Sequence, residues 1–149
     1  DLGDFVSHFV QEAGQELEQE GGRVELHMIP SAHPVSMDSE QIYRVLNNLK
    51  DNALRYAGAN PLILTLTVWR QGDMECVRFA DNGHGVAQEC LPRLFERFYR
   101  ADPSRSRDQG GYGLGLAIAR DIAQAHKGTI AVTSTAQEGT TFTLRLPLT

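Results

Sequence analysis

The chain has 149 residues, 41% of them apolar and 22% charged, with a net charge of −5. That size fits one domain with a real core, and the acidic balance argues against a general nucleic-acid binder. No apolar run approaches the roughly 18 residues that a membrane span needs, and no signal peptide opens the chain, so a cytoplasmic segment is expected. Residues 4–20 place Phe5, Val6, Phe9, Val10, Ala13 and Leu17 at helical spacing, and Gly21-Gly22 stops the run. Val24, Leu26 and Met28 alternate through residues 23–29 as in a strand, and residues 34–37 read as a short partner strand. Asp38, with Gln41 three positions on, has the spacing of a capping box and opens a helix to about Ala57. Residues 61–70 and 74–81 read as two strands joined by the tight turn Gln71-Gly72-Asp73. A short amphipathic helix is expected over 91–100, then a polar loop over 101–111. Residues 114–126 form a third main helix closed by Lys127-Gly128. Residues 129–135 and 140–148 are closing strands around Gln137-Glu138-Gly139. The order α-β-β-α-β-β-α-β-β predicts an α/β (α+β) fold in two layers, a mixed sheet of about five strands with about three helices on one face. Cys76 and Cys90 form no metal-like pair and read as ordinary thiols.

The helix opened by Asp38 carries two different faces. Ile42, Val45, Leu46, Leu49, Ala53 and Tyr56 form its core stripe. Arg44, Asn48, Asp51, Asn52 and Arg55 fall on the other side, with Asn48 and Asn52 neighbours at i, i+4. Asparagine is a mediocre helix former, so Asn47, Asn48 and Asn52 carry a propensity cost in mid-helix. A solvated face and a row of oxygens for a hard cation both fit. Magnesium takes few protein oxygens and fills its shell with phosphates and waters.

Two glycine clusters stand downstream. Asp81-Asn82-Gly83-His84-Gly85 ends a strand, so a carboxylate and close-approaching backbone meet there. The carboxylate suits an exocyclic amine, and a plain Asn-Gly turn is the rival reading. Gly110-Gly111-Tyr112-Gly113-Leu114-Gly115-Leu116 feeds into a helix, where free N–H groups and the helix dipole favour phosphate. No Gly-Lys-Ser/Thr follows, so this is not a P-loop. No G-x-G-x-x-G can be read either, which sets aside the dinucleotide fingerprint.

Taken in order, these segments resemble the ATP-binding catalytic domain of sensor histidine kinases, within the superfamily that includes gyrase, MutL and heat-shock chaperone ATPases. Residues 48–56 (Asn-Leu-Lys-Asp-Asn-Ala-Leu-Arg-Tyr) resemble the N box and 81–85 the first glycine box. Residues 94–100 (Leu-Phe-Glu-Arg-Phe-Tyr-Arg) resemble the F box, which marks the histidine kinases. Residues 111–116 resemble the second glycine box, and Glu138-Gly139-Thr140-Thr141-Phe142 the weaker third element. The resemblance covers nearly the whole chain. It implies a Bergerat-type sandwich spanning residues 1–149 as one catalytic domain, with ATP between the N-box helix and a lid.

Residue by residue, the resemblance implies that Asn52 binds Mg2+ with Asn48 in support. Asp51 stands where an acidic residue assists the phosphoacceptor, Arg55 near the phosphates and Tyr56 near the nucleotide. Asp81 would recognise the adenine amino group in a pocket shaped by Gly83 and Gly85. Tyr99 and Arg100 hold lid-base positions, and Gly111, Tyr112, Gly113, Leu114, Gly115 and Leu116 belong to the closing lid. Three departures stand out. Lys50 occupies a usually apolar place near the edge of the core stripe. Tyr112 replaces a common Thr or Ser. The lid is short, with Arg105 and Arg107 as γ-phosphate clamps or solvated charges.

No histidine of the chain precedes an acidic residue and Arg-x-Pro-Leu as the family's phosphoacceptor does; His8, His27, His33, His84 and His126 all lack that context. The acceptor is therefore expected on a separate dimerisation/phosphoacceptor domain, through which a parent kinase would form a homodimer while this fragment stays monomeric. A response regulator is the implied downstream partner, and a parent protein anchored in the inner membrane is compatible with the sequence. The rival readings are an ATPase of the chaperone or topoisomerase kind, a serine kinase of the anti-sigma-factor type, or a nucleotide-binding docking module without catalysis.

Overall fold

A computed structural model describes residues 2–28, 35–59, 61–97, 115–135 and 139–147. Helix α1 (Leu2–Gln19) buries Leu2, Val6, Phe9, Ala13 and Leu17, the apolar stripe of its sequence. Gly21 and Gly22 end it, and Gly22 N donates to Leu17 O at 2.8 Å. Strand β1 (Arg23–Met28) follows, then helix α2 (Ser39–Tyr56), strands β2 (Ile63–Gln71) and β3 (Met74–Asp81), helix α3 (Gly115–Ala125), and strands β4 (Thr129–Thr135) and β5 (Gly139–Pro147).

The five strands form one mixed sheet in the order β1-β2-β3-β5-β4. β1 and β2 pair in parallel because α2 crosses between them, whereas tight turns make the β2–β3 and β4–β5 pairs antiparallel. One sheet face carries Leu64, Leu66, Val68, Val77, Phe79, Phe142, Leu144 and Leu146, all buried in a single core with the apolar stripes of the helices. The other face is richer in polar groups, and there the Arg78 guanidinium lies 4.7 Å over the Trp69 ring.

Two expected elements are corrected. Residues 34–37 contain an isolated bridge at Val35 among the described residues, with no strand over Ser36 and Met37. Within the described part of the helix expected over 91–100, which ends at Arg97, there is instead a 3₁₀ helix, Gln88–Arg93, followed by turns and a bend. Pro92 lies inside it and disfavours the α region at Leu91. The backbone closes i→i+3 bonds instead, Cys90 N to Ala87 O at 2.9 Å and Glu96 N to Arg93 O at 3.0 Å.

The start of α2 also differs from the expected box. Asp38 caps it, its side chain accepting from Glu40 N at 3.1 Å and Gln41 N at 3.3 Å. The return bond to Asp38 N–H comes not from Gln41 but from His126 Nε2, at 2.9 Å. His126 Nδ1 lies 2.9 Å from Ile122 O, so the neutral ring donates there and accepts from Asp38. The end of α3 is thereby tied to the beginning of α2.

Candidate nucleotide site

The polar face of α2 and the turn after β3 meet at one end of the sheet. Gly83 is the joint. A Cβ built on it would lie 2.3 Å from Ala57 O and 2.7 Å from Ala57 Cα, so only glycine lets the turn press against the C-terminal end of α2. His84 N donates to the same Ala57 carbonyl at 2.9 Å, while the His84 side chain stays exposed. Gly85 follows at φ +79°. The Asn82 side chain does not face this joint. Its Oδ1 accepts from Ile63 N at 2.8 Å and its Nδ2 donates to Pro61 O at 3.0 Å, bracing the entry to β2.

Asp81 is fixed from two sides. Its Oδ1 accepts from Gly83 N at 2.8 Å and from Thr140 N at 3.2 Å. Oδ2 takes no hydrogen bond from the described residues, which leaves one carboxylate oxygen for an incoming donor. Burial pushes the Asp81 carboxyl above its ordinary value, and the Gly83 and Thr140 amides and nearby His84 partly offset this. Gly139 permits the approach of β5. It sits at φ +102°, and a Cβ there would lie 2.0 Å from Asp81 O.

On α2, Asn48 and Asn52 are half-buried, Arg55 is exposed, and Asp51 and Tyr56 are half-buried. Asn48 Nδ2 donates to Gly115 O at 3.1 Å, so this amide ties α2 to the first residue of α3. Among the described residues no hydrogen bond engages the Asn52 side chain. Lys50 lies deeper than the edge of the stripe, being 7% exposed. Its Nζ is paired with Glu16 of α1 and lies 3.8 Å from Asp51 Oδ1. The flank carrying Lys50 therefore faces α1, while Asn48 faces α3.

Gly115 is exposed and Leu116 half-buried against the core. Tyr99, Arg100, Gly111, Tyr112, Gly113 and Leu114, with Arg105 and Arg107, lie outside the described residues. The described part of the F-box segment is anchored by Arg97 Nη2 to Asp121 Oδ2 of α3, at 2.9 Å.

Sequence reasoning passed over Ser134 and the backbone of Ala57 and Thr140. Their roles come from contacts between distant segments, and the one signal available was the glycine-threonine pair at 139–140. No group of three or more His, Cys, Asp or Glu side chains among the described residues is placed to hold a metal. A single amide oxygen with phosphates and waters, rather than a protein cage, is the arrangement that suits magnesium. No described helix is long and apolar enough to cross a membrane.

Comparison with known proteins places this geometry among relatives. Residues 37–149 match the family model described as histidine kinase-, DNA gyrase B-, and HSP90-like ATPase. The chain is 45% identical over 126 residues to the sensor histidine kinase CusS of Escherichia coli (strain K12), a match covering 83% of this chain and 25% of CusS. It thus spans about a quarter of that relative's length. Its fold resembles the mycobacterial sensor histidine kinase MprB, with TM-score 0.79 and 22% identity over 99% of this chain and 96% of that one. Full-length ShkA, solved in complex with AMPPNP, superposes with TM-score 0.84 at 23% identity, covering 99% of this chain and 30% of ShkA.

Proposed function

The chain belongs to the histidine kinase-, DNA gyrase B- and HSP90-like ATPase family, and from that premise we propose that residues 1–149 are the catalytic ATP-binding domain of a sensor histidine kinase. The domain binds ATP with magnesium and transfers the γ-phosphoryl group to a histidine on a separate dimerisation/phosphoacceptor domain. The parent kinase dimerises through that domain and passes the phosphoryl group on to a response regulator. The observation that carries this reading is Asp81. One of its carboxylate oxygens is held by two backbone amides and the other takes no hydrogen bond from the described residues, beside a glycine turn docked on the end of the asparagine-bearing helix.

In this reading Asp81 Oδ2 accepts from the adenine amino group, and the Gly83–Gly85 backbone lies along the base. Tyr56, half-buried at the end of α2, flanks the nucleotide, and the exposed Arg55 reaches toward the phosphates. Asn52, whose side chain makes no hydrogen bond to the described residues, would hold magnesium, and the ion would neutralise charge on the triphosphate. Asn48 keeps α3 against α2, so that the amides around Gly115 and Leu116 face the phosphates. Tyr99, Arg100, Gly111, Tyr112, Gly113 and Leu114 complete the lid. A neutral imidazole of the acceptor domain attacks the γ-phosphorus in line. The N–P bond forms as the bond from the γ-phosphorus to the bridging oxygen breaks, and ADP leaves. Asp51, on the outer ridge of α2, faces the acceptor and assists it.

Calorimetric titration with a non-hydrolysable ATP analogue, with and without magnesium, tests the site. The wild-type domain is expected to bind, more tightly with magnesium, and Asp81→Asn to lose binding by about ten- to hundredfold, the value of a hydrogen bond to a charged group. Equal binding by the variant would remove Asp81 from the site.

A further inference from the structure

Ser134 lies at the end of β4, directly across from Thr140 of β5, and is 8% exposed. Its Oγ accepts from Val86 N at 2.7 Å and donates to Gly139 O at 3.0 Å. Thr140 Oγ1 lies 3.3 Å away. A serine hydroxyl has one proton and two lone pairs. With the proton on Gly139 O and one lone pair on Val86 N–H, Thr140 is the donor to the second lone pair, and the hydroxyl is saturated. The Ser134 carbonyl accepts in addition from Gln88 Nε2.

These bonds tie together two segments just beyond the last pair of the β3–β5 ladder, Ala80 with Thr141. One is the turn from Gly83 to Gln88. The other is the β4–β5 hairpin, whose Thr140 N–H donates to Asp81 Oδ1. Gly83 N holds the same oxygen from the turn side. Asp81 is therefore aimed by two amides that belong to separate segments, and Ser134 is the side chain that spans both. A buried hydroxyl satisfied three ways would be enough for stability alone. Its placement adds that the gap between turn and hairpin sets where the two amides on Asp81 Oδ1 stand.

We infer that Ser134 is a positioning residue for adenine selection, acting through Thr140 and Val86 on the direction of Asp81 Oδ2. The inference rests on the nucleotide reading above and deepens it. It touches neither phosphate nor metal, so it predicts a change in base discrimination rather than in binding as a whole.

The test compares ATP with inosine triphosphate, which differs at the base by carrying a carbonyl in place of the exocyclic amine. Affinities for both are measured by titration on the wild-type domain, Asp81→Asn, Ser134→Ala, Ser134→Thr and Gln88→Met. Wild type should prefer ATP and Asp81→Asn should not; if either fails, the nucleotide reading itself falls. With those controls in place, Ser134→Ala should lower the ATP-to-inosine-triphosphate preference by about tenfold, mostly through ATP. Ser134→Thr, which keeps the hydroxyl, should restore most of it. A simple loss of folded protein would weaken both nucleotides alike and leave the ratio unchanged, and that result overturns the inference. Should Ser134→Ala not fold, Gln88→Met decides. Its exposed side chain bonds Ser134 O, and its loss should reduce the ratio at least about twofold; an unchanged ratio there overturns the inference as well.

Discussion

Asp81 shows how one residue can oppose stability while serving a site. Burial raises its carboxyl above the ordinary value, so the folded state holds this proton more tightly than the unfolded chain does. The sign of the linkage follows. Between the ordinary carboxylate value and the raised one, the folded protein binds more protons, so stability contributed here falls as pH rises through that window. Asp81→Asn should remove this slope and melt at or above the wild-type temperature at neutral pH, because an amide oxygen still accepts from Gly83 N and Thr140 N. The same variant turns an NH2 group toward the adenine amine, donor against donor. Thermal melts from pH 4 to 8 on both proteins, read beside ATP titrations, check the trade. A variant that is less stable at neutral pH would mean that the carboxylate is compensated by more than its two amides.

Periodicity made the helices and strands readable before any coordinates. The 3.6-residue stripe of α1 and of α2, the strands β2 and β5, and the Asp38 cap all recur where the sequence placed them, whereas the alternation read in β1 does not, Met28 being exposed. Residues 91–100 were less legible because their apolar spacing suits a helix while Pro92 shifts the backbone toward i→i+3 bonding. Ser134, Asn82 and His126 were illegible as bracing groups. Their partners lie 48, 19 and 88 residues away, and no local pattern encodes such pairs. The end of α3 offers a test at this scale. Lys127 adopts φ +60°, a left-handed conformation that favours glycine. Lys127→Gly should relieve strain of about 1–2 kcal/mol and cost about 0.4–1 kcal/mol in unfolded-chain entropy, a net gain of up to about 1.6 kcal/mol. Chemical denaturation reads it, and a loss of stability would mean that the lysine stem contributes packing worth more than the strain.

Among the described residues, α2 is the shared member of four polar contacts that frame the candidate site. Asn48 ties it to the start of α3, Asp38 to the end of α3, Lys50 to α1, and Ala57 to the turn that carries Gly83. A helix braced at both ends and on both flanks holds Asn52 and the Asp81 turn in one rigid frame, which is what phosphoryl transfer asks of a protein. The frame can position a nucleotide, but it cannot position an acceptor. None of the five histidines stands in a phosphoacceptor context, and the described ones are engaged elsewhere or exposed: His126 bonds Asp38 and Ile122, and His84 lies in the glycine turn. Docking an acceptor in line supplies about 7–11 kcal/mol of the barrier reduction, or roughly five to eight powers of ten in rate. The domain alone should therefore bind ATP and yet incorporate no measurable phosphate from γ-labelled ATP. Adding an acceptor domain from the same parent should switch labelling on, and Asn52→Ala should abolish it while leaving the melting temperature nearly unchanged, because the Asn52 side chain makes no hydrogen bond to the described residues. Rapid self-labelling of the isolated domain would place an acceptor within these 149 residues, and sustained hydrolysis without labelling would move the chain toward the ATPases of its family.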